Sequence, residues 1–359
     1  MSIRMRYICT FAALLIGLTG SPPNAGPLRQ AADRAEVLVG TAVRPSQFAE
    51  AAYASTLARE FNLVEAEDAM KWWAIRSARD TFDFRQGDEV VRFAQAHDMK
   101  VRGHCLLWGR ANPDWLTQGH FTSPQLSQLL QEHIAKVMKH YSGQVFAWDV
   151  VNEALDENGK VRDSLWYNRP GIGFAGKGTL YIEQAFRWAH AADPQALLFY
   201  NDAEGEGLNR KSDAIYAMAK DLRRRGVPID GIGLQLHISE LNVDVRGIAA
   251  NIARLTALGV QVHITELDVS LPVDTRGELV REDDLLRQAE LYRGIVHACL
   301  QNPGCTAIQT WGFTDKYSWI GSSSHHSRSW GLPFDRTYNA KPAYEAVLEE
   351  LHAGRKTQQ

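Results

Sequence analysis

Eight times along this chain a short, almost continuous apolar run ends in polar residues and gives way to a segment of helical period. No other feature narrows the possible folds so far. The runs at 36–43, 61–67, 100–108, 145–151, 196–202, 231–237, 262–268 and 307–313 read as strands covered on both faces. The segments at 49–60, 88–97, 125–141, 180–192, 212–225, 248–258, 285–300 and 342–352 read as helices. In the third of these, Leu126, Leu129, Leu130, Ile134, Val137 and Met138 recur on one face. Strand-helix alternation implies a parallel sheet with helices outside it. Eight such units imply an α/β chain closed into a single (β/α)8 TIM barrel, whose functional residues sit at the C-terminal ends of the strands. No second module is expected, and 26–359 reads as one domain.

Polar residues gather at those strand ends: Glu67, Asp68, His104, Asn152, Glu153, Asn201, Asp202, Gln235, His237, Glu266, Asp268 and Trp311. Glu153 ends the run that holds Trp148, and Glu266 ends the run that begins at Val262. A lone glutamate after a strand is usually a solvated loop residue. Two at equivalent strand ends of one barrel face a common cleft, and a facing pair of carboxyls is what glycosidic-bond hydrolysis requires. Trp148 lies mid-strand and reads as core. His133, His140 and His190 read as helix surface or packing residues, His325-His326 as a solvated loop, and Arg223 to Arg225 as a solvated helix end.

A formal net charge of −3 gives no basic face, so nucleic acid is not an expected partner. The spacing of the four Cys is not that of a metal site, and neither metal nor cofactor is expected. Arg4 and Arg6 precede a short apolar stretch at 7–18, and small residues and prolines follow to Gly26. Residues 1–25 therefore read as a secretory signal cut near Ala25, too short for a membrane span. The expected protein is secreted or periplasmic, monomeric and without a membrane partner. Cys299 and Cys305 flank Asn302-Pro303-Gly304, a turn, and could pair in an oxidising compartment. Cys105, inside a strand, reads as a buried thiol.

The strand ends resemble glycoside hydrolase family 10, the xylanases, from about Val39 to Leu351. Trp148-Asp149-Val150-Val151-Asn152-Glu153 is similar to the family's acid/base motif, and Ile264-Thr265-Glu266-Leu267-Asp268 to its nucleophile motif. The stretches 102–108, 231–237 and 311–319 also fit. The resemblance implies a retaining endo-β-1,4-xylanase acting on xylan or xylooligosaccharide. The alternative is a retaining glycosidase of this fold acting on short xylooligosaccharides or another β-glycoside. Under the resemblance Glu153 is the acid and then the base, its pKa raised by burial and by the other carboxylate. Glu266 is the nucleophile, with the two carboxyls about 5 to 5.5 Å apart. His237 holds Glu266 and is oriented by Asp268, and Asn152 holds the sugar 2-hydroxyl. Glu67, Asp68, Lys71 and His104 bind sugar hydroxyls, Trp108, Trp311 and Trp319 wall the cleft, and Gln235 sits near the acid/base.

The sequence departs from the family's pattern in four places. Asp68 stands where Asn is usual. Gly109 and Ala111 stand where His and Gln are usual, with Arg110 between them. Ala203-Glu204 replaces an aromatic-Asn pair, and the loop 168–178 reads as an insertion that could cover the leaving-group side. Arg110 and Lys177 are candidate partners for an acidic substituent such as glucuronate.

Overall fold

Strands buried on both faces must find neighbours along both edges, and the apolar runs do so by closing on themselves. The computed structural model describes residue 22 and residues 24–355. Apart from residues 22, 24 and 25, the signal assigned to 1–25 lies outside the described residues. Eight parallel strands form the barrel: β1 (Leu38–Val43), β2 (Leu63–Ala66), β3 (Lys100–Trp108), β4 (Ala147–Asn152), β5 (Leu197–Asp202), β6 (Gly231–Leu234), β7 (Gln261–Val269) and β8 (Cys305–Thr310). They pair in chain order, and β8 closes onto β1 through Leu38 against Ala307. Around them run α1 (Pro27–Arg34), α2 (Ala51–Glu60), α3 (Arg85–Ala96), α4 (Ser123–Tyr141), α5 (Leu180–Ala192), α6 (Arg210–Arg224), α7 (Val245–Thr256), α8 (Asp284–Leu300) and α9 (Pro342–Ala353). Among the described residues, no helix is long and apolar enough to cross a membrane.

Three departures from the sequence reading have physical causes. Residues 27–34 belong to none of the eight helical segments read from the sequence, yet they form α1, which buries Leu28, Ala31 and Ala32. Its Arg29 guanidinium donates to the carbonyls of His97 (2.8 Å) and Asp98 (2.7 Å). The run at 231–237 is not one strand. Leu236 takes a φ of +62°, the ladder breaks, and His237–Ile238 pairs afresh beside Asp268 and Val269. The eighth run begins and ends earlier than its apolar pattern suggests, leaving Trp311 to Phe313 in the loop beyond β8.

The barrel's inner layer is charged. Arg102 on β3 is fully buried, donates to Asp149 on β4 (Nε to Oδ2, 3.2 Å), contacts His263 Nδ1 (2.8 Å) and lies over the Phe199 ring. Glu65 on β2 is buried 3.7 Å from the Arg102 Nε. Burial, then the charge of Asp149, pushes the Glu65 carboxyl up to about 8. Register slips sit in the same layer. His104 pairs with Asp149 but Leu107 with Val151, and Ile264 pairs with Ile308 but Leu267 with Thr310. Such bulges change which residues face inward toward the C-terminal mouth.

Elsewhere, Cys299 and Cys305 are joined across the turn after α8, and Cys105 is a buried free thiol. His133 is buried and stacked on Trp72 at 3.7 Å, a packing residue as its helix position suggests.

Candidate active site

β4 and β7 carry the two glutamates to the barrel mouth by different local means. On β4 the pairing slips between Asp149 and Val151, so Val151 stays in the apolar core while Asn152 lines the cavity. The next residue, Glu153, has a φ of +49°, in the left-handed region that side chains seldom occupy. Its amide donates to the Asn201 carbonyl (2.9 Å), which ties this strained residue to β5. On β7 the slip lies between Ile264 and Leu267, the stretch that contains Glu266.

A chain of neutral amides joins the two carboxylates. Gln235 Nε2 donates to Glu153 Oε1 and to Asn152 Oδ1, both at 3.2 Å. Asn201 Nδ2 donates to Asn152 Oδ1 (3.0 Å) and to Glu266 Oε1 (2.7 Å), and Thr265 Oγ1 donates to Asn201 Oδ1 (2.8 Å). Asn201 has room because its neighbour across the ladder is glycine: a Cβ on Gly233 would lie 2.2 Å from Asn201 Oδ1.

A charged triad holds the other side of Glu266. His237 Nε2 lies 3.0 Å from Glu266 Oε2, and His237 Nδ1 lies 2.9 Å from Asp268 Oδ2. Trp319 Nε1 also donates to Asp268 Oδ2 (2.8 Å). Burial opposes a charged His237, but the Asp268 charge and hydrogen bonds to both carboxylates raise its pKa well above the ordinary value. Burial likewise opposes ionisation of Glu266, yet the His237 hydrogen bond and charge, with His104 and Asn201 behind them, hold its carboxyl below the usual range. Glu266 is thus a stabilised carboxylate. Glu153 accepts Trp108 Nε1 at its other oxygen (3.2 Å).

Both carboxylates open onto a cavity of about 570 Å³. It brings together Glu67, Lys71, His104, Trp108, Asn152, Glu153, Gln235, His237, Glu266, Trp311 and Trp319. Asp268 stands behind His237, the orienting place read from the sequence. Asp68 is not among the residues lining the cavity; it accepts Lys71 Nζ (3.0 Å) and faces Arg44 (3.4 Å). Lys71 Nζ, so held, lies over the Trp108 and Trp311 rings at 5.3 and 5.6 Å. Glu67 accepts Arg44 Nη2 (2.6 Å), and its burial raises its pKa. The 168–178 loop lines no part of this cavity, and Lys177 lies beside the Phe174 ring.

Sequence reasoning missed Asn201 as a holder of Glu266, though its strand-end place was a signal. It also missed Asp149, which accepts His104 Nδ1 at 2.9 Å and so fixes that ring. Glu206 was missed as well; its Oε1 takes the Leu236 amide (3.0 Å) that the broken ladder leaves free. Nothing in its loop sequence marks it. Among the described residues one trio, Glu65, His104 and Glu266, brings carboxylate and imidazole atoms within 4.8 Å of each other. Glu266 already takes His237 and Asn201, His104 Nδ1 is held by Asp149, and Glu65 Oε2 takes Gln309 Nε2 (3.0 Å) with the Arg102 cation 3.7 Å away, so a further cation there would face a fixed positive charge.

Comparison with known proteins gives a consistent picture. Residues 27–350 match the glycosyl hydrolase family 10 model. Endo-1,4-beta-xylanase B of Thermotoga neapolitana is 39% identical over 345 residues, 94% of this chain and 96% of that protein. The crystal structure of xylanase 10B from Thermotoga petrophila RKU-1 in complex with xylobiose superposes with a TM-score of 0.85 at 39% identity, over 91% of this chain and 97% of that one. The Penicillium canescens endo-1,4-beta-xylanase XylE gives 0.84 at 30% identity, over 91% and 98%.

Proposed function

Because this chain belongs to glycosyl hydrolase family 10, we propose that it is an endo-1,4-β-xylanase that cleaves internal β-1,4-xylosidic bonds of xylan with retention of configuration. The observation that carries this reading is the pairing of Glu266, held ionised by His237 and Asn201, with Glu153 across one cavity.

Glu266 attacks the anomeric carbon as the C–O bond to the leaving sugar breaks. Glu153 gives its proton to the departing oxygen, which leaves a covalent glycosyl-enzyme on Glu266. Glu153, now a carboxylate, takes a proton from water. The resulting hydroxide attacks the same carbon, frees Glu266 and restores the acid. Two inversions give net retention. His237 holds Glu266 and keeps its charge in place, and Asp268 keeps His237 protonated and aligned. Asn152, fixed by Gln235 and Asn201, meets the sugar 2-hydroxyl. Glu67, Lys71 and His104 take hydroxyls on the glycone side, where Trp311 and Trp319 form the wall. Trp108 both walls the cleft and donates to Glu153.

The protein is further read as exported, secreted or periplasmic, after loss of residues 1–25. It acts as a monomer, with the Cys299–Cys305 disulfide formed in that compartment. Reducing-sugar release from glucuronoxylan, arabinoxylan and carboxymethylcellulose tests the activity, with Glu266→Ala run in parallel. Release from the xylans that vanishes in the variant is expected. Release from carboxymethylcellulose alone would overturn the substrate, and release surviving in Glu266→Ala would overturn the nucleophile.

A further inference from the structure

The ladder between β1 and β2 ends with Val43 opposite Ala66, and the Glu67 amide donates to the Val43 carbonyl (3.0 Å). Register thus brings the next residue of each strand, Arg44 and Glu67, together at the barrel mouth. A 3-10 turn, Pro45–Gln47, follows Arg44 at once, and the Gln47 amide donates to the Arg44 carbonyl (3.0 Å), which fixes the arginine's backbone there. The turn after Glu67 is closed twice. The Lys71 amide donates to the Asp68 carbonyl and Lys71 Nζ donates to Asp68 Oδ1, both at 3.0 Å. Two cations and two anions therefore meet in one place. Glu67 and Lys71 are buried and line the central cavity, whereas Arg44 and Asp68 are partly exposed and are not among its lining residues.

The pairing among the four is selective. Arg44 Nη2 donates to Glu67 Oε1 (2.6 Å), and Arg44 Nε lies 3.4 Å from Asp68 Oδ2. Lys71 is close enough for its charge to act on Glu67, yet among the described residues no hydrogen bond or ion pair joins the two. A buried anion and a buried cation so placed would pair directly if nothing else held them. Each is instead held from the rim, Glu67 by Arg44 and Lys71 by Asp68, and Arg44 links the two holders. Burial raises the Glu67 pKa, and the Arg44 charge is the strongest influence against that rise. Glu67 Oε2 takes no partner among the described residues, and the Lys71 ammonium gives one of its three N–H groups to Asp68. The cavity thus receives an open acceptor and open donors from a cluster of balanced charge, which suits neighbouring hydroxyls of a neutral sugar. His104 and Glu266 bring polar atoms within 4.8 Å of each other, while Glu67 and Lys71 bond to neither catalytic carboxylate. The pair therefore meets the sugar beyond the one being cleaved.

We propose that Arg44 and Asp68 are positioning residues for glycone binding: their ion brace holds Glu67 and Lys71 apart, so that acceptor and donor stay open to hydroxyls of the second sugar from the cleaved bond. The proposal rests on the hydrolase reading above and deepens it, since the brace readies one part of the same cleft without touching the substrate. It also accounts for a departure in the sequence. Asp68 adds an anion where Asn is usual, and Arg44 supplies the matching cation from the end of β1. Without Arg44, Glu67 faces the Asp68 charge unpaired, and Lys71 is drawn toward both carboxylates. Without the Asp68 charge, Lys71 is free to close onto Glu67. Either loss shuts the clamp on itself.

The test compares an aryl β-xylobioside, which fills the second sugar position, with an aryl β-xyloside, which does not. Arg44→Met should lower kcat/KM on the xylobioside about 10-fold, mainly through KM, and change it less than about twofold on the xyloside. The retained xyloside activity also shows that the variant folds. Arg44→Lys should restore part of the loss, because an ammonium reaches one carboxylate where the guanidinium reaches two. Asp68→Asn should lose several-fold on the xylobioside, and Arg44→Met/Asp68→Asn should lose no more than the larger single change, as expected of two groups acting as one unit. Equal losses on both substrates, no loss in Arg44→Met, or losses that multiply in the double variant would each overturn the proposal. Calorimetric binding of xylobiose to Glu266→Ala, with and without Arg44→Met, reads the clamp without turnover, and affinity unmoved by Arg44→Met would count equally against it. A parent that cleaves neither glycoside but binds xylobiose about 10-fold more tightly than Arg44→Met would sink the hydrolase reading and leave the brace standing. A parent that binds no xylobiose would remove both.

Discussion

Replacing Asp268 with asparagine separates charge from shape in the group behind the nucleophile. Asp268 Oδ2 accepts His237 Nδ1 at 2.9 Å and Trp319 Nε1 at 2.8 Å, and the amide of Asp268→Asn retains an oxygen for both. What is lost is one negative charge beside a largely enclosed imidazole. Hydrogen bonds to a charged partner contribute about 1.5–3 kcal/mol against about 1 for neutral ones, so the loss is on the order of 1–1.5 kcal/mol. That corresponds to roughly a 10-fold fall in kcat/KM. There is also a sign. The Glu266 carboxyl lies below its usual range because His237 is charged. Weakening that charge raises the Glu266 pKa, and since attack needs the carboxylate, the acid limb of the pH profile moves to higher pH. The assay is kcat/KM against pH on an aryl β-xylobioside whose phenolate leaves without help, so that the profile reports Glu266 rather than Glu153. A variant with less than about a twofold loss and an unmoved acid limb would refute the argument that Asp268 acts through His237.

The other expectations follow from the same contacts. Glu153→Ala should lose about 100-fold or more on xylan but far less for cleavage of the aryl bond, since only the former needs its proton; equal losses would move the acid elsewhere. Lys211 is 1% exposed and pairs with Asp202 at 2.8 Å, so Asp202→Asn strands a buried cation and should cost about 3–5 kcal/mol in urea unfolding. A loss under about 1 kcal/mol would show that water reaches the lysine. Glu65, raised to about 8, is protonated in the fold at pH values where an unfolded glutamate is ionised, so it drains stability as pH rises from its unfolded value toward 8. Glu65→Gln should accordingly gain roughly 1–3 kcal/mol on the parent at pH 8 but not at pH 5, and parallel stability curves would contradict this. Replacing Cys299 and Cys305 with serine opens a bridge of sequence separation 6 and should lower stability by about 2 kcal/mol, measured without reductant.

The barrel was legible because its signal is local: an apolar run, a polar end, a helical period, repeated eight times. Glu153, Glu266, His237 and Asp268 were legible because each sits at or beside a strand end. What escaped depends on pairing between distant strands. Arg102 and Asp149 look like ordinary residues of apolar strands until β3 and β4 lie side by side, 47 positions apart in sequence. The slips in register could not be read either, since an apolar run looks the same whether or not one residue bulges out of the ladder. Leu236 shows the same blindness. Its left-handed conformation splits a run that hydropathy leaves whole, and the amide it frees is taken by Glu206, 30 positions earlier.

The amides of Gln235, Asn152 and Asn201, which tie Glu153 to Glu266, carry no net charge and do not titrate. During one turnover Glu153 passes from acid to carboxylate and back, while Glu266 passes from carboxylate to ester and back. A brace made of lysines or glutamates would be pulled differently in each of those states and would shift its own protonation to suit. This one is indifferent to the proton inventory it supports. The same indifference should let the spacing of the two carboxyls survive wide changes of pH, so that activity lost at either extreme returns when the pH is restored.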